Sequence, residues 1–300
     1  MASLRSTLLL SLAALATARD VPFNVRDFYN SLKSKGQCSN KLKSGFHSID
    51  GDNGSFSYCG DHLDDYRVLY LQGKNGNFVN MDIDCDGIQH GPADDGRCGS
   101  SDDTQSVTSF QSIVQGYGTG QKDLDAFIHP YVVFGNEGSR SGYPNFNPQD
   151  YGIEPLSVMA VVCNNKLIYG IWGDTNGDDG SQAMVGEASI SLATACYGKS
   201  VNGNSGHDDN DVLFIAFPGS DAVPGKNGAK WHASSYSQFE SSITGLGDKL
   251  IQRIGGGGGG GNPPTGGDCS WQGHCEGARC KNENDCSDDL VCKSGKCVRG

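Results

Sequence analysis

A chain of 300 residues with 36% hydrophobic content has material for one or two packed domains. Its 23 Lys+Arg against 35 Asp+Glu leave a formal charge of −12, so it has no surplus cation to neutralise phosphates or anionic lipid; nucleic-acid and membrane-surface partners are excluded. Twelve cysteines, an even number, point to an oxidising compartment and to disulfides.

In chain order, residues 1–18 read as an export signal. Arg5 precedes the apolar run 8–15, and small residues at Ala16 and Ala18 set a cleavage site before Arg19. The run is too short to span a bilayer, and no later segment has the ~20 apolar residues that spanning requires. The expected product is secreted, extracellular and monomeric. Helical periodicity follows over 25–35, and Asn53-Gly54-Ser55 is the one glycosylation sequon. Asp82, Asp84 and Asp86 form a D-x-D-x-D-G run that opens like a calcium loop, but its twelfth position is Ala93 where a bidentate Glu is needed. A solvated loop held by turn hydrogen bonds is the simpler reading, and no metal or other cofactor is expected.

His129-Pro130 leads into the first of four short apolar runs, at 131–134, 156–162, 167–172 and 212–217. Each is β-branched or aromatic and bounded by turn residues, and Asn164-Asn165 between two of them reads as a hairpin turn. His129 reads as structural, as does the cluster Asp208, Asp209 and Asp211. Helices are expected over 188–196 and 237–251. The fold class is mainly β, a barrel or sandwich with a few peripheral helices; a double-psi-like barrel is one arrangement compatible with the strand order. Cys38, Cys59, Cys85, Cys98, Cys163 and Cys196 would form three disulfides within this domain, which occupies 19–254.

Seven consecutive glycines, Gly255 to Gly261, then begin a Gly/Pro-rich linker over 255–267, because such a run has nothing to bury. Residues 268–300 form a disulfide-rich module whose Cys269, Cys275, Cys280, Cys286, Cys292 and Cys297 must replace a core, with the pairing left open. One reading makes it a protease-resistant knot; the other makes it a wall-polysaccharide binder presenting Trp271 to a sugar ring.

Mechanistic elimination leaves carboxylates. G-x-S-x-G fails because Arg140 stands at the nucleophile position of 138–142, H-E-x-x-H is absent, and the cysteines are better used in bridges. Asp174 ends an apolar strand and Glu187 opens an apolar segment beyond a Gly-rich connection, an arrangement able to aim two carboxyls across one cleft. Glycoside hydrolysis needs such a pair. The competing reading is an ordinary turn at 173–177 and a helix-dipole glutamate.

The strings LDAFIHPYVVFGN at 124–136, PLSVMAVVCN at 155–164, YGIWGDTNG at 169–177 and GEASISL at 186–192 decide between them. With NMDIDCDG at 80–87 and DVLFI at 211–215, they resemble the fungal chitosanases of glycoside hydrolase family 75 over nearly all of 19–254. The resemblance implies endo-hydrolysis of β-1,4 links in chitosan with inversion, and it carries the two essential carboxylates onto Asp174 and Glu187. Glu187, beside apolar residues, is expected to be the general acid, and Asp174, in a solvated turn, the general base. Asp82, Asp84 and Asp86 are candidate subsite acids for a cationic polysaccharide, and Tyr169 or Trp172 could stack on a sugar. Two rival functions are another acidic endo-β-glucanase and a noncatalytic wall-binding protein.

Overall fold

The computed structural model describes residues 19–49, 51–99, 101, 104–178, 180–255, 280, 282, 286 and 290–299. The expected export signal over 1–18, nearly all of the expected linker over 255–267, Cys269, Cys275 and Trp271 lie outside the described residues. In chain order the elements are β1 (Arg19–Asp20), α1 (Phe23–Lys35), β2 (Lys41–Phe46), β3 (Phe56–Cys59), β4 (Leu69–Gln72), β5 (Val79–Asp84), α2 (Gln111–Gly116), β6 (Tyr131–Asn136), β7 (Val158–Cys163), β8 (Lys166–Asn176), β9 (Glu187–Ser189), α3 (Ile190–Tyr197), β10 (His207–Ala216), the single turn α4 (Gly225–Gly228) and α5 (Tyr236–Ile251). None of the described helices is long and apolar enough to cross a membrane.

Strand pairing closes a ring. From β8 it runs through β6, β9, β5, β10 and β7 and back to β8, with β6·β8 and β5·β9 parallel and the other pairs antiparallel. Outside the ring, β4, β3 and β2 continue from β10 as a flap, and β1 pairs with β8. The expected mainly-β barrel is therefore what this sequence forms. Its apolar runs are those of strands covered on both faces: all six residues of β6 and all six of β7 are buried. Between β7 and β8, Asn164 and Asn165 have φ of 47° and 57°, the left-handed pair of a tight hairpin whose twist matches its strands.

The helices lie on the outside. α5 starts at Ser235, whose side chain accepts the Gln238 N–H, and buries Phe239, Ile243, Leu250 and Ile251 toward β7 and β8. The helix expected over 188–196 begins only at Ile190, because Glu187–Ser189 is strand β9, parallel to β5, and Ser189 then caps α3 by accepting from Leu192 N. His129 is fully buried: its Nδ1 accepts from Asp125 N, leaving Nε2–H to donate to the Trp231 carbonyl, and burial pushes its pKa down to about 4. It is a structural histidine, as its sequence context suggested.

Three disulfides fasten this domain: Cys38–Cys59, Cys85–Cys98 and Cys163–Cys196. They close loops for which chain-entropy estimates give roughly 3 kcal/mol or more each. In the C-terminal segment, β11 (Leu290–Lys293) and β12 (Lys296–Arg299) form a hairpin crossed by the interleaved bridges Cys280–Cys292 and Cys286–Cys297. Cys280, Cys286 and Cys297 are themselves its buried cluster, packed with Leu290 and Cys292, so sulfur replaces a core. Asn53 is exposed and open to modification.

Candidate active site

Backbone register alone assembles the carboxyls. Asp174 on β8 is opposite Val133 on β6; Val133 is opposite Glu187 on β9; Glu187 is opposite Asp82 on β5. Register partners project to the same face of a sheet, so these four side chains form one row. Asp174 and Glu187 are two strands apart, about 9–10 Å at the usual strand spacing. Val133 is the buried apolar floor between them.

A bulge sets the aim of Asp174. Trp172 pairs with Val132 and Asp174 with Val133, which leaves Gly173 as an extra residue in β8. Simple alternation would put residues 172 and 174 on one face; the bulge puts them on opposite faces. Only glycine fits there, since a Cβ would lie 2.5 Å from Tyr131 Cβ and 2.7 Å from Leu124 Cδ1. Gly186, ahead of Glu187, has φ of 103°, and a Cβ on it would meet Asn80 Oδ1 at 2.5 Å. Glycine thus precedes both carboxyls for packing reasons.

Asp174 is not in a solvated turn. It is 6% exposed, because the loop before α2 folds over it. Its Oδ1 accepts from the Ser109 hydroxyl, from Ser109 N at 3.0 Å and from Thr175 N at 2.8 Å, while its buried Oδ2 has no partner. Ser109 is held in turn by Asp123, which accepts from Thr108 N, Gln111 Nε2 and Leu124 N. Burial raises the Asp174 pKa above the ordinary carboxylate value; the Ser109 and Thr175 donors oppose that shift without cancelling it. Glu187, expected among apolar residues, is the less enclosed of the two. The environments are therefore the reverse of those the sequence suggested.

Of the aspartates at 82–86, only Asp86 lies beyond the strand. Asp82 and Asp84 are strand residues on one face of β5, which rules out a calcium-loop conformation there. Asp84 is 5% exposed, and its pKa lies well above the ordinary value, first through desolvation and then through Glu187, Asp174 and Asp86. It is too enclosed to meet a sugar amine directly. Asp86 uses Oδ1 to accept from Gln105 N, and its carbonyl accepts from Tyr131 Oη. A carboxylate oxygen from each of Asp84, Asp86 and Asp174 lies within 4.8 Å of the others, close enough for like charges to disfavour ionisation of all three together.

Two predicted aromatic contacts are absent. Tyr169 is fully buried under α5, with Arg19 over its ring and its hydroxyl donating to Asp248 Oδ1. Trp172 is also buried, its indole N–H donating to the Asp174 carbonyl and its ring edge-on to Phe110. Neither presents a face to a sugar. A cavity of about 220 Å³ opens beside Asp174 instead, lined by Asp86, Gln105, Val107, Ser109 and Thr175 among others. Val107, 44% exposed at this rim, is the exposed large hydrophobic side chain among the described residues. A larger cavity of about 590 Å³ beside α3 is lined by Arg97, Lys166 and Lys199, but these cations are committed: Lys166 to the Ala195 and Cys196 carbonyls, Arg97 to Thr194 and Val201, Lys199 to Asp95. It has none of the paired carboxyls.

Sequence reasoning missed Ser109, Val133 and Gly173. Gly173 had a local signal, since a glycine inside an apolar strand run marks a bulge or close approach; Ser109 had none.

The profile described as "Fungal chitosanase of glycosyl hydrolase group 75" matches residues 81–253, a span that contains the whole carboxyl row. "Endo-chitosanase B" of Aspergillus oryzae is 47% identical over 250 residues, covering 83% of this chain and 97% of that protein. "Endo-chitosanase" of Aspergillus fumigatus is 48% identical with the same coverages, and "Endo-chitosanase C" of Aspergillus oryzae is 37% identical over 76% of this chain and 58% of its own length. A barrel that carries paired carboxyls on adjacent registers, matched at this level over most of its length, belongs to the fungal chitosanases of glycosyl hydrolase group 75 and is a glycoside hydrolase.

Proposed function

We propose that this protein is a secreted endo-chitosanase that cuts β-1,4 links between glucosamine units with inversion, Glu187 serving as general acid and Asp174 as general base. The observation that carries this reading is the row Asp174, Val133, Glu187, which sets the two carboxyls on one face with a strand between them, the non-adjacent placement that an inverting pair uses to leave room for its water. Glu187 protonates the leaving oxygen while Asp174 takes a proton from the attacking water. Asp174 is suited to the base role because Ser109 and Thr175 donate to its ionised form while burial raises its basicity above that of an ordinary carboxylate. The charge of −12 favours a polymer of ammonium-bearing sugars over neutral glucans.

Residues 1–18 would direct export, 19–254 form the catalytic domain, 255–267 the linker and 268–300 a module holding wall polysaccharide through Trp271. The disulfides on both sides of the linker support an extracellular setting. Digestion of partly acetylated chitosan in ¹⁸O-labelled water tests the central reading. Internal cleavage with the α-anomer formed first and label at the new reducing end is expected; a β-anomer as first product would refute inversion.

Ser109→Ala provides a separate check. Losing a hydroxyl donor to a carboxylate costs roughly 1.5–3 kcal/mol, so kcat should fall about 10- to 100-fold. The acid limb of the pH profile should move to higher pH, since the removed bond favours ionised Asp174. An unchanged acid limb would show that Ser109 does not tune the base.

A further inference from the structure

The structure leaves one enclosed carboxyl without a task. Asp84 is a diagonal neighbour of Glu187 in the parallel β5·β9 pair, because Glu187 is opposite Asp82 and Ser189 is opposite Asp84. Diagonal neighbours are about 7–8 Å apart at Cα, within reach of a long side chain. A carboxylate oxygen of Asp84 also lies within 4.8 Å of one of Asp174. The side chains facing it are Glu187 on β9, Asp174 on β8, Asp86 in the following turn and the phenol of Tyr131 on β6; the Asp86 backbone N–H also donates to its Oδ1 at 2.6 Å and favours the ionised form, but desolvation and the neighbouring acids outweigh that one donor. Asp174 Oδ2, buried and without a hydrogen-bond partner, adds an independent mark: a second bare carboxylate beside it would be strongly disfavoured, whereas a protonated one is tolerated.

We infer that Asp84 is a proton-holding positioning residue, which keeps one proton in common with Glu187 and so keeps the general acid loaded at the working pH. The inference rests on Glu187 being that acid. In each turnover the Asp84–Glu187 pair gives one proton through Glu187 to the leaving oxygen, and Asp174 takes one from the attacking water. Asp174 then releases its proton to solvent and the pair takes one up, so protons balance. Two ionised carboxyls side by side would make that reuptake favourable.

Asp84→Asn tests this, because the amide matches a protonated carboxyl in shape and charge but cannot ionise. With intact protein and a soluble glucosamine oligomer, the alkaline limb of kcat/KM should move down by about one pH unit, since a like-charge neighbour of the acid is gone. KM and the unfolding midpoint should change little, and Asp84→Glu should restore the limb. An unmoved limb, or an equal loss at every pH, would overturn the inference; a raised KM with an unmoved limb would instead make Asp84 a subsite residue. Glu187→Gln is the control: if it turned over normally, the acid assignment itself would fall, whereas an inactive Glu187→Gln beside an unmoved Asp84→Asn profile would remove only the role of Asp84. Should Asp84→Asn fail to fold, ¹³C-carboxyl NMR decides. Asp84 and Glu187 should titrate together in two steps in the wild type, and Asp84 at lower pH in Glu187→Gln; independent single steps would refute the shared proton.

Discussion

Asp174→Asn and Glu187→Gln should each lower kcat on chitosan by roughly 10²- to 10⁴-fold, the range that positioned acid–base groups supply. Both replacements are near-isosteric, and the register that places the two residues is made by backbone hydrogen bonds, so the folds should survive. The pH profiles separate the roles. Losing Asp174 should abolish the acid limb, because the group that must be ionised is gone; losing Glu187 should abolish the alkaline limb, because the group that must be protonated is gone. Reducing-end release across pH, with circular dichroism as the check on folding, measures both. Near wild-type release from either variant would remove that residue from the mechanism.

Gly173→Ala should be the most damaging change at a residue that touches no substrate. Its Cβ would sit 2.5 Å from Tyr131 Cβ, closer than real Cβ contacts come, and the obstructing atoms belong to a fully buried ring residue and to Leu124 in the core. Relief requires β8 to shift, at an expected cost of about 1–3 kcal/mol for overpacking. The bulge also aims Asp174, and a displacement of about 1 Å at a catalytic group costs on the order of 10²-fold in rate. Thermal unfolding and kcat should therefore fall together. Full activity with lowered stability would show that something other than the bulge holds Asp174 in place.

Much of this was legible in the sequence, and the parts that were not share a cause. The runs at 131–134, 156–162, 167–172 and 212–217 became β6, β7, β8 and β10, since fully apolar stretches bounded by turn residues can be read locally. The six cysteines of the large domain were assigned to bridges, but their partners appear only when the fold sets Cα separations of 5.7–5.9 Å. Asp174 was placed in a solvated turn because Gly-Asp-Thr-Asn-Gly has turn composition. Its burial comes from Ser109, 65 positions away, and no local pattern carries that. Tyr169 and Trp172 illustrate the same limit in reverse. An aromatic beside a catalytic motif suggests a sugar platform, yet α5 covers one and the bulge turns the other away.

The separation of the two working carboxyls is fixed by neighbouring strands, not by the segment that joins them. Residues 177–182 could lengthen, shorten or change composition without altering the span from Asp174 to Glu187, whereas one residue inserted within β6, β8 or β9 would turn a carboxyl to the wrong face. Indels should therefore be freely inherited between these strands and purged within them. The connecting segment is then the natural place to graft new subsite contacts while the catalytic spacing stays untouched.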